Sequence, residues 1–165
     1  MREIAPAEET QAGGGRRRPK KTALMYAVDL LARQEQSSAK LREKLRRKGY
    51  EEEETEAAIA RLIEKHYLND ADACARQFAF LYEESRSSVR QITLKLLQRG
   101  FSSDLVKSCI PEDTYEREKE VAHRVLALKF KPSADPRKMM ASLYQKGFES
   151  SVCRAAVEDY AQADD

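Results

Sequence analysis

Cys74, Cys109 and Cys153 are the only thiols of this chain, and His66 and His123 are its only imidazoles. Such groups hold zinc or carry out nucleophilic chemistry when they come as close sets, such as a C-x-x-C pair or two histidines one helical turn apart. None of the five has a partner at that spacing. The thiols fall in apolar helical patterns, where cysteine packs as a small hydrophobe. Three free thiols are expected, with both histidines at the surface or at a boundary. The sequence has no phosphate-cradling G-x-x-x-x-G-K-S/T, no G-x-S-x-G and no H-E-x-x-H. No catalytic residue, metal site or cofactor is assigned, and the chain is read as a non-enzyme.

Cationic charge offers a different chemistry, that of binding. Lys40, Arg42, Lys44, Arg46, Arg47 and Lys48 stand against Glu43 alone, a net +5 between positions 40 and 48. On a helix whose core stripe is Leu41 and Leu45, Lys40, Lys44 and Arg47 share one flank, and Arg42 and Arg46 the other. Such a flank suits phosphate or an acidic protein surface. It suits equally a solvated helix whose basic end complements its own dipole, with Glu51–Glu54 and Glu56 just beyond. Arg90, Lys95 and Arg99, then Arg137, Lys138 and Lys146, recur farther along, so a basic strip running along the molecule is one arrangement to test. The acids at 51–56 are read as charge at a helix N-terminus.

The elements that would position these side chains are marked by glycine. Gly13–Gly15 form one run, and the others are Gly49, Gly100 and Gly147, spaced 51 and 47 residues apart. A period of that size is a repeat signature. One residue after each of the three stands Tyr50, Phe101 or Phe148, and one before stands Lys48, Arg99 or Lys146. Four before stands Leu45, Leu96 or Leu143, and eight before stands Leu41, Ile92 or Met139. Leu30, Leu81 and Leu128 lie nineteen before, and Ile59, Ile110 and Val157 ten after. Positions −8 and −4 lie on one helical face. Gly49, Gly100 and Gly147 then serve as helix C-caps, where a left-handed residue ends the helix.

Each repeat therefore reads as three helices, at 22–35, 38–48 and 52–66, then 70–84, 88–99 and 103–110, then 114–130, 135–146 and 150–160. Ser37 or Ser38, Ser87 or Ser88, and Ser133 or Asp135 supply the caps of the middle helices. Pro136 suits a first helical turn. No segment shows sustained strand alternation. The fold class is all-α, an elongated tandem array of three three-helix repeats at 21–67, 68–113 and 114–160. A basic tail at 1–20 is expected to be disordered, and 161–165 is a C-terminal tail. Repeats of this size bury their apolar faces by stacking or by sharing a core.

The chain resembles the RecX family of RecA regulators. The matching stretches are Arg33-Gln-Glu-Gln-Ser37-Ser-Ala-Lys-Leu41-Arg-Glu-Lys-Leu45-Arg-Arg-Lys-Gly49-Tyr50, then Tyr67-Leu-Asn-Asp70-Ala-Asp-Ala, then Gln91-Ile92-Thr-Leu-Lys-Leu96-Leu-Gln-Arg-Gly100-Phe101, with Asp135 to Phe148 in the third repeat. It departs from the family pattern at Lys40 and Lys95, where an acid is usual, and at Asn69 and Ala73. The resemblance implies tandem three-helix repeats, no catalysis, and binding to the RecA–DNA filament that dampens its activity. Lys40, Lys44, Arg47, Arg90, Lys95, Arg99, Arg137 and Lys138 are the candidate filament or DNA contacts. The alternative is a small helix-turn-helix-like DNA-binding module.

Composition sets the outer limits. The chain has 165 residues, 41% hydrophobic and 35% charged, with no Trp and a net charge of +2. Six basic and three acidic residues put +3 in positions 1–21, so the rest sums to −1. That balance speaks against strong duplex binding by the body and allows a weak DNA contact. Arg16-Arg17-Arg18-Pro19-Lys20-Lys21 reads as a nucleic-acid tether or a solubilising tail. No stretch approaches 18 apolar residues and Met1–Thr10 has no apolar run, so neither a membrane span nor a secretory signal is expected. A cytoplasmic monomer is the expected state.

Overall fold

Gly49, Gly100 and Gly147 all take left-handed backbone, with φ of 101°, 90° and 83°. Behind each, the next residue's amide reaches back over the turn. Tyr50, Phe101 and Phe148 donate to the carbonyls of Leu45, Leu96 and Leu143, each at 3.2 Å. This is the bond that closes a helix at glycine. It turns the adjoining aromatic ring inward, and all three rings are buried.

The computed structural model describes residues 21–163. The expectations for the tail at 1–20 and for the last two residues fall outside them. Among the described residues there are helices and no strands: α1 (Ala23–Arg33), α2 (Ser38–Lys48), α3 (Glu52–Glu64), α4 (Asp70–Glu84), α5 (Val89–Gln98), α6 (Ser103–Cys109), α7 (Tyr115–Lys129), α8 (Pro136–Gln145) and α9 (Ser150–Gln162). None is long and apolar enough to cross a membrane. Side-chain oxygens of Thr22, Ser37, Asn69, Ser88, Ser102 and Asp135 accept from first-turn amides and fix the starts of six helices. At Ser88 the cap is reciprocal, because Gln91 reaches back to the Ser88 amide.

All helix boundaries lie within one residue of the sequence reading except the ends of α1, α3 and α9. Helix α1 starts one residue later, since Thr22 caps it, and ends at Arg33 because Gln34 is extended. Helix α3 ends at Glu64 rather than 66. His66 there takes φ of 59°, doing without glycine what glycine does elsewhere. Helix α9 runs to Gln162, two residues into the segment read as a tail.

Each helix packs chiefly on the other two of its own repeat, so the array has three cores. Leu41, Leu45, Ile59 and Leu62 centre the first. Phe78, Leu81, Ile92, Leu96 and Val106 centre the second. Leu126, Met139, Leu143 and Val152 centre the third. The −8 and −4 positions are fully buried in every copy. The −19 position is not equivalent. Leu128 is 66% exposed, and Leu126 fills the core in its place. Val121 and Val125 are buried at −26 and −22, as are Ala23 and Ala27 in the first repeat and Cys74 and Phe78 in the second, so the difference is confined to the last turn of α7.

Candidate functional site

With separate cores, what joins the repeats is polar and is built at the ends of the middle helices. The Ser37 hydroxyl, at the start of α2, donates to the Arg99 carbonyl at the end of α5, 2.6 Å away. The Ser88 hydroxyl, at the start of α5, donates to the Lys146 carbonyl at the end of α8, also at 2.6 Å. The positive end of one middle helix thus abuts the negative end of the next. A carboxylate from the following repeat completes each N-terminus. Asp70 accepts from the Ser38 amide at 2.7 Å and from the Ser38 hydroxyl at 2.6 Å. Glu118 accepts from the Val89 amide at 2.9 Å.

Close approach gives two of the cap glycines a second reason to lack a side chain, a severe one at Gly100 and a milder one at Gly147. A Cβ on Gly100 would lie 2.6 Å from the Ser37 oxygen, and one on Gly147 would lie 3.1 Å from Arg90 Cδ and 3.2 Å from the Ser88 oxygen. Gly49, which no preceding repeat meets, has nothing within 4 Å. The second junction is also clamped by Arg117, whose guanidinium donates to the carbonyls of Tyr82 and Ser87 and pairs with Glu118 at 2.9 Å. Burial pushes the Glu118 carboxyl above its ordinary value, against the pull of the Val89 amide and Arg117.

The first junction opens into a cleft of about 310 Å³. Lys40, Lys44 and Arg47 of α2 form one wall, and Gln98, Arg99 and Phe101 meet them from repeat 2. Lys40 and Arg47 both hold Glu43, at 2.8 and 2.6 Å. The hydrogen bond and charge of Lys40, with Arg47 and Lys44 adding theirs, hold the Glu43 carboxyl below its ordinary value. Lys44 has no carboxylate partner among the described residues. Arg99 donates to the neutral Gln77 at 2.8 Å. The opposite flank of α2 is different: Arg42 pairs with Glu56 at 2.7 Å, and Arg46 with Glu52 and Glu56. So the acidic run at 51–56 neutralises one flank of α2 and leaves the other to the cleft.

Of the eight candidate contacts, the structure brings Lys40, Lys44, Arg47 and Arg99 together and leaves the other four apart. Arg90 borders a separate cavity at the second junction, beside Glu112, Asp113 and Glu118. Lys95, Arg137 and Lys138 are exposed. The strip thins along the array. The register of Lys40, Lys44 and Arg47 continues as Gln91, Lys95 and Gln98 in α5, and as Lys138, Ser142 and Gln145 in α8. Ser142 is buried and accepts from Lys129. Gln34, Gln36, Gln77 and Gln98, which complete the cleft, carry no sequence signal, because their convergence depends on how two repeats meet. His123 packs edge-on to Tyr160 at 5.1 Å. No metal-holding cluster occurs among the described residues.

The sequence profile of the first three-helix domain of RecX matches residues 23–62. A regulatory protein RecX from Thermus thermophilus is 33% identical over 137 residues, spanning 81% of this chain and 89% of that protein. Another, from Caldanaerobacter subterraneus subsp. tengcongensis, is 31% identical over 131 residues, spanning 78% of this chain and 66% of that protein. The crystal structure of RecX from Lactobacillus salivarius shares the fold at a TM-score of 0.73 and 18% identity, over 85% of this chain and 95% of that one. With its three repeats, its glycine-capped middle helices and these likenesses, the chain belongs to the RecX family of regulatory proteins.

Proposed function

We propose that this protein regulates the RecA recombinase in DNA repair and the SOS response by binding the RecA–DNA filament as a cytoplasmic monomer and lowering its ATPase and strand-exchange activity, without catalysis of its own. Family membership supports the partner. The observation that carries the contact is the cleft at the first junction, where Lys40, Lys44, Arg47 and Arg99 converge while Arg42 and Arg46 are neutralised by internal acids. Arg90, Lys95, Arg137 and Lys138 serve as outlying contacts along the array.

The mechanism follows from shape. Helices of 7–15 residues are roughly 11–23 Å long, so three repeats in series span several subunits of a helical filament. A binder seated across neighbouring subunits resists the rearrangements that ATP turnover and strand exchange require, and it obstructs the incoming duplex. Inhibition then follows from preference for one filament state. The test is to measure affinity for bare DNA beside affinity for a RecA–DNA filament, with ATPase and strand exchange read in parallel. Tighter binding to the filament with both activities lowered is the expected result. Equal or tighter binding to bare DNA would favour a DNA-binding module instead.

A further inference from the structure

The cleft at the first junction is more specific than a basic patch, because amides line it beside the cations. Gln36 forms part of its wall and is only 8% exposed, and its Oε1 is buried with no donor among the described residues. Its Nε2 lies 3.4 Å from the Leu30 carbonyl, so the oxygen is the unsatisfied side. That oxygen is sealed from solvent, so the groups a ligand can reach are the others of the cleft. They include Lys44, with no acid of its own, and Arg99, held only by a neutral amide.

Two features separate the possible ligands. Glu35 and Glu43 stand among the cations. A polyphosphate backbone would meet repulsion from both, whereas separated carboxylates can alternate with them. The one aromatic ring at the cleft, Phe101, is 3% exposed and offers no face on which a base could stack. The exposed amides of Gln34 and Gln98 match main-chain groups of a peptide, while that of Gln77 is taken by Arg99 and Glu35.

We infer that this cleft receives an acidic segment of a partner protein, whose carboxylates meet Lys44, Lys40, Arg47 and Arg99 and whose main chain meets the exposed amides of Gln34 and Gln98. This rests on the filament-binding reading above and specifies what the partner presents at the site.

The test is fluorescence anisotropy on the full chain with three labelled probes: an oligo-glutamate peptide, an oligo-glutamine peptide of the same length, and an oligothymidylate of the same charge. The expected order is oligo-glutamate first, oligothymidylate clearly weaker and oligo-glutamine without binding. Lys44→Glu should weaken oligo-glutamate about tenfold. Circular dichroism should show helical content kept for Lys44→Glu, which lies on the solvent flank of α2. Oligothymidylate binding as tightly as oligo-glutamate, neither charged probe binding, or a folded Lys44→Glu binding like wild type would each overturn the inference. Filament binding by the same preparation keeps the two readings apart. A wild type that binds filament but not oligo-glutamate refutes this inference alone, and one that binds oligo-glutamate but not filament refutes the regulator reading.

Discussion

The Ser37 hydroxyl donates to the Arg99 carbonyl across 62 residues of chain, while the same oxygen accepts from the Lys40 amide at 3.1 Å. One hydroxyl thus caps α2 and joins two repeats, and Ser88 does the same for α5 toward Lys146. Ser37→Ala or Ser88→Ala should therefore cost about 1–2 kcal/mol. Ser102→Ala, whose exposed cap serves α6 alone, should cost less. Thermal melts of the three variants check this. Equal losses would contradict a joining role.

The three cap glycines should not be equally sensitive. Gly49→Ala meets only left-handed strain, about 1–2 kcal/mol, because nothing lies near its Cβ. Gly100→Ala adds a collision with Ser37 at 2.6 Å and should exceed it by about 1–3 kcal/mol. Gly147→Ala should fall between. Denaturant midpoints for the series give the order.

These glycines also show how much the sequence disclosed. A left-handed residue has a side-chain signature, the absence of one, so Gly49, Gly100 and Gly147 with their Leu and aromatic neighbours reveal the repeats, the middle helices and the core stripe. His66 adopts the same conformation with no such signature, and α3 was read too long. Leu128 fits the repeat by type, yet it lies exposed in the last turn of α7, where Leu126 fills the core. Ser37 and Ser88 are legible as caps. Their second bond is not, since its acceptor is a main-chain carbonyl of another repeat. The cationic wall of the cleft was likewise legible as a helix flank. Its glutamines and the buried Arg117–Glu118 pair look, in sequence, like ordinary surface residues.

Glu118 predicts a pH dependence. Burial raises its carboxyl above the ordinary 4.5, so its folded pKa exceeds the unfolded one. The contribution is full below the unfolded value and is lost as pH rises through the folded value. The melting midpoint of wild type relative to Glu118→Gln should therefore shift in favour of wild type as pH is lowered from about 7 toward about 4. A shift the other way would mean that Arg117 and the Val89 amide outweigh burial.

The thiols should differ in reactivity. Cys74 is buried 4.0 Å from the Cys109 sulfur, and burial, with Cys109 beside it, pushes its thiol up to about 12. Burial raises Cys153 as well. Iodoacetamide at neutral pH should modify Cys109 first and reach the other two only on unfolding. Reducing agent should leave the melting midpoint unchanged. Intact-mass detection of a Cys74–Cys109 disulfide in the untreated protein would contradict the free-thiol assignment.

The filament contact is tested most directly by reversing the cleft-facing flank of α2. Lys40, Lys44 and Arg47 flank the buried Leu41 and Leu45 without entering the core, so the triple change to Glu should keep helical content. Affinity of wild type and triple variant for the RecA–DNA filament, measured across a salt series, should show the variant weaker at low salt and its salt dependence flattened. Deleting residues 1–20 should cost less, since a tether adds only effective concentration. A triple variant that binds the filament as tightly as wild type at every salt concentration would place the contact elsewhere in the array and contradict the assignment of the cleft.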